Sequence, residues 1–426
     1  MILEHARAVL ETGPTCDGCL GRCFADRGRG VTNEQRGHAL RISVALADDE
    51  PFEPVEADEC WVCEGLAPAY DEWADRARER LADLEFETLL VGTRVPSSLE
   101  ENETELREQA GLDENAGESL NAEINRSVGT RLERALGVDV DHDDPDVVAI
   151  LDLENEEVER QLNPAYLYGR YRKLERGLAQ RMRVCRVCNG RGTRARDGER
   201  RPCENCDGTG SVTDASVERF VTRPIRERMD ASETVFNCAG REDDDVRMLG
   251  AGRPFVVEVK APRRRPPDVE ALQATINDES DGTIAVEGLT PATKGMVGHV
   301  AGIDVRQTYR LTLSFSSPVT DEDFEEAIDT LERATVRQRV DRDGMQTDRI
   351  LRIGDVTGEL TADDEAEVDV VSPGDVDLEA LAHGGDGRSD PSLAALLETE
   401  VDVTALDVVG VEGEEEPIEN PAYLQE

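Results

Sequence analysis

Apolar and polar residues follow two different periods in the first half of the chain. In DEWADRARERLADLEF (71–86) and ESLNAEINRSVGTRLERALG (118–137), apolar residues recur every three or four positions, which predicts amphipathic helices. The segments ETLLVGTRVP (87–96) and PDVVAILDL (145–153) are short apolar runs with a proline at one end, which is typical of strands. Because helices and strands alternate here, residues 70–160 are predicted to form one α/β module.

Strand patterns predominate in the second half. Runs rich in β-branched and aromatic residues predict strands in TVFNCAG (234–240), RPFVVEV (253–259) and TYRLTLSF (308–315). The segment DEDFEEAIDTLERA (321–334) has the apolar spacing of a helix. This mixture indicates an α+β fold. The last stretch, EGEEEPIENPAYLQE (412–426), is predicted to be a loose acidic tail.

The charge of the chain is far from balanced. It has 94 Asp and Glu against 48 Lys and Arg, a formal net charge of −46, and only three lysines. At low ionic strength such a charge repels itself, whereas molar salt shortens the Debye length to about 3 Å. We therefore expect a protein that works in concentrated salt. A protein that binds a partner through its acidic surface is the alternative.

Apolar residues make up 38% of the chain, which argues against disorder. The sequence has no run of roughly 18 apolar residues, so no membrane span is predicted. The segment MILEHARAVLETG at the start of the sequence lacks the basic and apolar regions of a signal peptide. We expect a cytoplasmic protein, in which the ten cysteines are reduced and available to bind metal.

Two copies of the pattern C-x-x-C-x-G-x-G lie close together in the chain. They are CRVCNGRG (185–192) and CENCDGTG (203–210). Each pair can present two thiolates to one ion, and the glycines allow the backbone to turn beneath it. Together the pairs predict a closed, structural zinc site with no position left for catalysis, and a reduced, metal-free knuckle is the alternative. The predicted ligands are Cys185, Cys188, Cys203 and Cys206.

A second set of C-x-x-C pairs is more widely spaced, with 40 residues between the pairs. A metal bound there would clip two distant segments together. The predicted ligands are Cys16, Cys19, Cys60 and Cys63. The remaining cysteines, Cys23 and Cys238, are expected to be small buried hydrophobic residues.

Basic residues are concentrated in one segment. Residues 169–201 contain 12 basic residues and three acidic ones. Because arginine can grip phosphate with two donors and stack on bases, this segment predicts binding to nucleic acid. A zinc knuckle that is merely basic is the alternative. The stretch APRRRPPD (261–268) is a smaller basic loop.

At this point the motifs resemble one family, the archaeal-type tRNA pseudouridine(54/55) synthases, over nearly the whole chain. The N-terminal motifs are CDGCLGR and VTNEQRGHALR, and those of the middle region are LLVGTRVPSSLEENE, AEINRSVG, PDVVAILDL and LYGRYRKLERG. The motifs of the last half are AGREDDDVRMLGAGRPFVVEV, QTYRLTL and GDGRSDPSLAALL. The resemblance implies an isomerase that converts T-loop uridines at positions 54 and/or 55 of tRNA. It implies a catalytic domain with a mixed, largely antiparallel sheet.

The resemblance also implies a domain order. A zinc-binding segment (1–66) precedes a THUMP-like RNA-binding module (67–165). The catalytic domain (166–410) carries the Arg-rich zinc knuckle as an insertion (181–210), and the acidic tail (411–426) follows. It further implies two structural zinc ions, no organic cofactor, tRNA as the partner and no protein partner.

The implied catalytic residues come from three of these motifs. In the G-R-x-D form of the family motif, Asp243 is the nucleophile and Arg241 precedes it, while the other acids of the run are expected to be solvated. Tyr309 of QTYRLTL would lie against the target base, and Arg388 of GDGRSDPS would pair with Asp243. Residues implied to bind substrate are Tyr309, Arg170, Arg172, Lys173 and Arg176.

Two stretches depart from the family pattern. Members usually carry Thr-Pro and a His-Arg-Arg cluster in a loop that contacts tRNA, whereas this chain has RATVRQRVDRDGMQTDRI, with Asp341 and Asp343 among the arginines. The stretch RGLAQR replaces the more usual RGIPQT. These changes concern the RNA contacts and do not affect Asp243.

Two other classes of protein are alternatives to this interpretation. A zinc-knuckle RNA-binding or chaperone-like module without catalysis would leave AGRED, QTYRL and GDGRSDPS without a role. A THUMP-containing tRNA methyltransferase or thiolase should carry a Gly-rich cofactor loop, and LGAGRPF lacks one.

Overall fold

The computed structural model describes residues 2–66, 69–196, 199–213, 215–342, 345–373, 376–385 and 387–425. The chain divides into two compact units. Unit 1 contains Met1–Pro164 together with Ala261–Pro266, and unit 2 contains Ala165–Lys260 and Pro267–Glu426. Of the helices in the described ranges, none is both long enough and apolar enough to cross a membrane.

Unit 1 places helices against a small sheet. Its helices are α1 (Ile2–Glu11), α2 (Asp17–Arg22), α3 (Asn33–Asp48), α4 (Tyr70–Leu81), α5 (Ser97–Gln109) and α6 (Leu120–Leu136). Its strands are β1 (Thr88–Arg94), β2 (Asp139–Val140), β3 (Val147–Asp152) and β4 (Glu157–Leu162). The strand order is β2-β1-β3-β4, with β1 parallel to β2 and β3, and β4 antiparallel to β3. This is the predicted α/β module.

Local sequence signals set the helix ends in unit 1. The Ser119 side chain accepts a hydrogen bond from the Ala122 N–H at the start of α6, and Gly137 ends it in the left-handed conformation. Helices α2 and α3 cross so closely that a Cβ on Gly21 would lie 1.8 Å from the Asn33 carbonyl oxygen. Glycine is therefore required at this crossing, within the motifs CDGCLGR and VTNEQRGHALR.

Unit 2 contains one large sheet with helices packed against it. Its strands are β5 (Ala165–Lys173), β6 (Thr193–Arg196), β7 (Glu199–Pro202), β8 (Glu233–Cys238), β9 (Arg247–Lys260), β10 (Ile284–Ala292), β11 (Val305–Phe315), β12 (Thr335–Arg342), β13 (Met345–Arg352), β14 (Val356–Ala362), β15 (Glu365–Pro373), β16 (Ser389–Asp390) and β17 (Val401–Gly413). Its helices are α7 (Val217–Arg228), α8 (Val269–Glu279), α9 (Lys294–Gly302), α10 (Asp321–Leu331), α11 (Leu378–His383) and α12 (Leu393–Leu397).

The large sheet is mixed and largely antiparallel. Its order is β10-β5-β9-β17-β11-β15-β14, β8 also pairs with β9, and the pairing of β9 with β17 is parallel. Tyr171, Phe236 and Phe255 pack together in the core beneath β5, β8 and β9, with ring centroids 5.5 to 6.2 Å apart. Two smaller sheets, β13-β12-β16 and the β6–β7 hairpin, complete the described strands.

The prediction of a loose acidic tail is wrong. Strand β17 continues to Gly413, and Ile418 is buried in the core of unit 2. Beyond it, the Glu419 carboxylate accepts hydrogen bonds from Arg170 and Tyr168. The apolar residues scattered among the tail acids anchor this segment, and the acidic composition concealed them.

The small basic loop also has a structural role. Arg263 pairs with Asp83 at 2.5 Å, and Arg265 pairs with Asp146 at 2.9 Å within unit 1. Arg265 is 9% exposed and also donates to the Asp146 carbonyl at 2.7 Å. These two arginines are therefore engaged with acids of their own unit.

Candidate active site and metal centres

Four cysteines converge in the interior of unit 1. The Cys16 and Cys63 Sγ atoms are 3.8 Å apart, and those of Cys60 and Cys19 are 3.7 Å apart. All four ligand atoms lie within 4.8 Å of one another. A tetrahedron of thiolates placed about 2.3 Å from a zinc ion has edges of about 3.8 Å, so the spacing fits this metal. The set is closed, because four protein sulfurs fill a tetrahedral site.

A buried arginine connects this cluster to two helices. The Arg22 guanidinium donates to the Cys19 Sγ at 3.4 Å, to Glu103 at 3.1 Å and to Glu123 at 3.2 Å. The Arg22 side chain is 1% exposed, so its charge depends on the two carboxylates. Through Arg22 the cysteine cluster stabilises the contact of α2 with α5 and α6.

The second cluster lies in the knuckle, the segment 182–213 of unit 2. The Cys185 and Cys203 Sγ atoms are 3.9 Å apart, and those of Cys188 and Cys206 are 3.7 Å apart. These distances also fit tetrahedral zinc. The glycines that follow each pair have φ values between 67° and 82°, as the predicted turns require. The knuckle's only buried cluster among the described residues is this set of cysteines.

The loop between β8 and β9 carries the acidic run, and a buried lysine holds it. The Lys173 ammonium donates to the carbonyl oxygens of Asp243 at 2.8 Å, Asp244 at 3.0 Å and Leu178 at 3.0 Å. Lys173 is 0% exposed. Burial lowers its pKa, and the nearby Glu242 carboxylate acts in the opposite direction. The lysine thus fixes the backbone of the loop at the position of Asp243.

Glu242 points into the protein. Its side chain is 0% exposed and lies 3.2 Å from Arg253 Nε and 3.7 Å from Lys173 Nζ. Arg253 also donates to the Ala239 carbonyl at 2.5 Å and to Gln307 at 2.9 Å. The expectation that Glu242 is solvated is wrong, because it is the anion between two buried cations. Its Oε1 atom has no hydrogen-bond partner among the described atoms.

Asp243 itself is exposed, and its carboxylate makes no hydrogen bond or ion pair with the part of the chain that the structure describes. The expectation that Asp244 is solvated is wrong, because its carboxylate pairs with Arg183. Arg247, which follows the acidic run, pairs with Asp407 at 2.6 Å.

The other implied catalytic residues lie on separate elements. Tyr309 is half-buried on β11, between β15 and β17, where it packs against two of the apolar clusters. Arg388 is exposed before β16, and its Nε donates to the Gly385 carbonyl at 2.9 Å. Arg241 is exposed in the loop beside Asp243. Within the described ranges, no ion pair joins Arg388 to Asp243.

The segment LYGRYRKLERG uses its cations mainly inside the protein. Arg170 bonds to Glu419, Arg172 pairs with Glu287, and Arg176 pairs with Asp407 at 2.6 Å. Lys173 is buried, so the expectation that it contacts RNA directly does not fit this structure. In an acidic chain, these cations neutralise neighbouring carboxylates.

Sequence reasoning missed the buried supports of the loop. Arg253 begins the run RPFVVEV, which is apolar apart from Glu258, and Gln307 lies at an inward-facing position of QTYRLTLSF. A charged residue at the end of a largely apolar strand is a signal of a buried ion pair. Glu242 gave no such signal, because it lies within four consecutive acids.

The departures in RATVRQRVDRDGMQTDRI fall on the β12–β13 hairpin. Asp341 lies in β12, and Asp343 lies outside the described residues. The backbone N–H of Arg339 in β12 donates to the Arg388 carbonyl at 2.8 Å. The hairpin is therefore hydrogen-bonded to the segment that carries Arg388.

Family models match most of the chain. Residues 73–152 match the archaeal Pus10 THUMP domain, and residues 166–412 match the C-terminal domain of Pus10. The chain belongs to the Pus10 family.

Full-length relatives agree with this assignment. A protein of Halorubrum lacusprofundi named tRNA pseudouridine synthase Pus10 is 46% identical, and the alignment covers all of both chains. Proteins with the same name from Methanothrix thermoacetophila and Pyrococcus furiosus are 38% and 32% identical. Those alignments cover 97% and 96% of this chain and 95% and 98% of the relatives.

Proposed function

We propose that this enzyme isomerises uridines in the T loop of tRNA, at positions 54 and/or 55, to pseudouridine, with Asp243 as the catalytic nucleophile. The observation that carries the proposal is the loop of the acidic run. Lys173 donates hydrogen bonds to the backbone carbonyls of Asp243 and Asp244, and the Asp243 carboxylate is left exposed. A fixed backbone with an accessible carboxylate suits nucleophilic catalysis.

The reaction conserves all atoms of the nucleotide. The N1–C1′ bond of uridine breaks, a C5–C1′ bond forms, C5 loses a proton, and N1 gains one. No electron acceptor or group donor is required, so the chemistry needs no organic cofactor. Asp243 would attack either the base or the sugar to hold one fragment while the base turns.

Arg388 and Tyr309 complete the proposed site. Arg388 would pair with Asp243 and keep it ionised once RNA is bound, which requires its guanidinium to leave the Gly385 carbonyl. Tyr309 would receive the base after it leaves its stack in the RNA. Arg241 is exposed beside Asp243 and would contact the phosphate next to the target.

The two cysteine sets would hold structural zinc. Each set supplies four sulfurs at tetrahedral spacing, so a bound ion would stabilise the fold and would leave no position for substrate. We place the enzyme in the cytoplasm, with tRNA as its partner. The net charge of −46 supports activity in concentrated salt.

The test uses an unmodified tRNA transcript labelled with tritium at C5 of uridine. Because C5 becomes the glycosidic carbon, product formation releases the label to water. Carbodiimide treatment and primer extension then locate pseudouridine in the T loop. Absence of tritium release in molar salt, with folded and zinc-loaded enzyme, would refute the proposal. Tritium release without a primer-extension stop in the T loop would refute only the assignment to positions 54 and/or 55.

A further inference from the structure

The knuckle has an exposed apolar surface. Val184, Val187 and Val212 are 60%, 46% and 52% exposed, and they line one groove of about 670 Å³. This volume is within the range of roughly 300–1,000 Å³ that is usual for small-ligand sites. The four cysteines fill the centre of the knuckle, so these valines have no core of their own to enter. They remain as an apolar face toward solvent.

The polar lining of this groove is basic and amide-bearing. It consists of Arg183, Arg186, Asn189 and Asn205, and none of the described residues that line the groove is acidic, although the chain has 94 acids in 426 residues. Glu204 and Asp207 belong to the same knuckle but do not line the groove. Exposed arginines follow on the adjoining turn and hairpin, at positions 191, 194, 200 and 201. The groove is thus complementary to an anion with an apolar part.

The groove also adjoins the acidic loop. Arg183, which lines the groove, forms an ion pair with the Asp244 carboxylate. Asp244 directly follows Asp243 in the chain. A ligand in the groove would therefore lie beside the proposed nucleophile.

We propose that this groove binds an unpaired nucleotide of the RNA substrate next to the target uridine. The base packs against the three valines, the asparagine amides contact its polar edge, and Arg186 contacts the phosphate. The inference rests on the proposed function, because it takes the RNA to be the substrate of Asp243. A single-stranded base is required, since a base inside a duplex has no exposed face to pack.

The packing of a base against the valines is expected to matter most in concentrated salt. Arginine–phosphate attraction weakens as salt rises, because the counterions released on binding gain less entropy when they enter concentrated salt. Apolar packing of a base does not depend on that release. An enzyme that works in molar salt therefore needs apolar contacts of this kind to retain RNA.

The main test is the double variant Val187→Ser/Val212→Ser, in the full chain with zinc bound. We expect the Kd and KM for a tRNA transcript to rise by about tenfold in molar salt, as for the loss of one base-packing contact, with kcat unchanged. The matched control is Val31→Ser in unit 1, where the valine is 44% exposed and does not line the groove. It should leave both constants unchanged.

A second pair of variants separates the phosphate contact from general charge. Arg186→Gln should raise Kd most at the lowest salt concentration at which the enzyme remains folded, by a factor that shrinks as salt increases. Arg228→Gln on α7 makes the same charge change outside the groove and should have a smaller effect. Equal effects of the two arginine variants would overturn the assignment of Arg186.

Cross-linking tests the contact without any substitution. A tRNA transcript containing 4-thiouridine, irradiated on the wild-type enzyme, should form adducts with the peptides that span residues 183–212. Adducts elsewhere only, or an unchanged Kd in the valine variant, would overturn the proposal. If reduced α-lactalbumin competes with tRNA, and the valine variant loses affinity only for that polypeptide, the groove binds protein instead.

The two proposals fail in distinguishable ways. If the valine variant binds tRNA more weakly but the wild-type enzyme forms no pseudouridine, the RNA-binding role of the groove is supported and the proposed activity is refuted. If the wild-type enzyme forms pseudouridine and the valine variant binds tRNA with unchanged affinity, the activity is supported and the role of the groove is refuted.

Discussion

The Lys173 ammonium donates a hydrogen bond to the backbone carbonyl of Asp243, at an Nζ–O distance of 2.8 Å. The lysine is fully buried, whereas the Asp243 side chain is exposed. Of the three lysines in the chain, this one lies inside the fold and holds the backbone of a loop that an acidic surface would otherwise loosen. Lys173 of β5 therefore positions Asp243 by binding the main chain of Asp243.

Substitution of Asp243 tests the catalytic assignment. Asp243→Asn should abolish tritium release and leave the Kd for tRNA unchanged, because an amide cannot serve as the anionic nucleophile. Asp245→Asn is the matched control. Asp245 is exposed in the same loop, and its backbone carbonyl accepts a hydrogen bond from Arg176. Near-normal turnover by Asp243→Asn, with loss in Asp244→Asn, would move the assignment by one residue.

Substitution of Lys173 tests the support of the loop. Lys173→Met should lower kcat by about tenfold or more and destabilise the fold by about 3–5 kcal/mol, as for breaking a buried ion pair. Glu242 and three carbonyls would lose their cation. Urea unfolding in molar salt and single-turnover rates provide the measurements.

The matched control for that variant is Lys260→Gln. Lys260 is 40% exposed and pairs with Glu233 at 3.2 Å, so its removal should change stability by less than about 1 kcal/mol. If Lys173→Met matches this control in both kcat and stability, the lysine does not position the loop.

The metal content should be two zinc ions per chain. Cys203→Ser should remove one and unfold the knuckle, while Cys60→Ser should remove the other and lower the stability of unit 1, because Arg22 lies against that site. Elemental analysis of protein purified without chelators and circular dichroism provide the readout. A zinc-free wild-type protein with normal stability would contradict the assignment.

Salt dependence tests the charge argument. Dialysis from about 2 M to about 0.05 M salt should cost structure and activity, because the Debye length grows and the 94 acids repel one another. Circular dichroism should show the loss, and restored salt should reverse it. Unchanged spectra across this range would show that the acids are not the source of instability.

Asp407 should contribute a pH-dependent part of the stability. Burial acts to raise its pKa, but the hydrogen bond from Arg247 and the charge of Arg176 hold the pKa below its usual value. Its stabilising effect is therefore complete above the unfolded pKa of about 3.9 and is lost as the pH falls through the lower folded value. Asp407→Asn should show a shallower fall in urea midpoint than the wild-type protein below about pH 5. The control is Asp402→Asn, an exposed position on the same strand, which should behave as the wild-type protein.

Local patterns predicted the elements of this fold better than their arrangement. Helix α6 was predictable because its apolar spacing, Ser119 cap and terminal Gly137 are all local signals. The cysteine sets were predictable because thiolates must converge on one ion. The place of β17 between β9 and β11 was not, since it depends on pairing across long stretches of chain.

The candidate site shows the same division. Asp243 was predictable from its motif, whereas the roles of Lys173 and Glu242 were not. Lys173 lies in an Arg-rich stretch that predicts an RNA-binding surface, and Glu242 lies in a run of acids that predicts solvated side chains. Burial of a charge is decided by the whole fold, and composition alone cannot reveal it.

The place of β17 has a consequence for how this chain matures on the ribosome. Every other described strand of the large sheet is translated before it, yet β17 joins the half that contains β5 and β9 to the half that contains β11 and β15. Until residue 413 has emerged, both halves carry an unpaired edge, which is a template for aggregation. The sheet can therefore close only after β17 has been translated. A nascent chain that is truncated before β17 would be a client for chaperones and proteases, even though its acidic loop between β8 and β9 is complete.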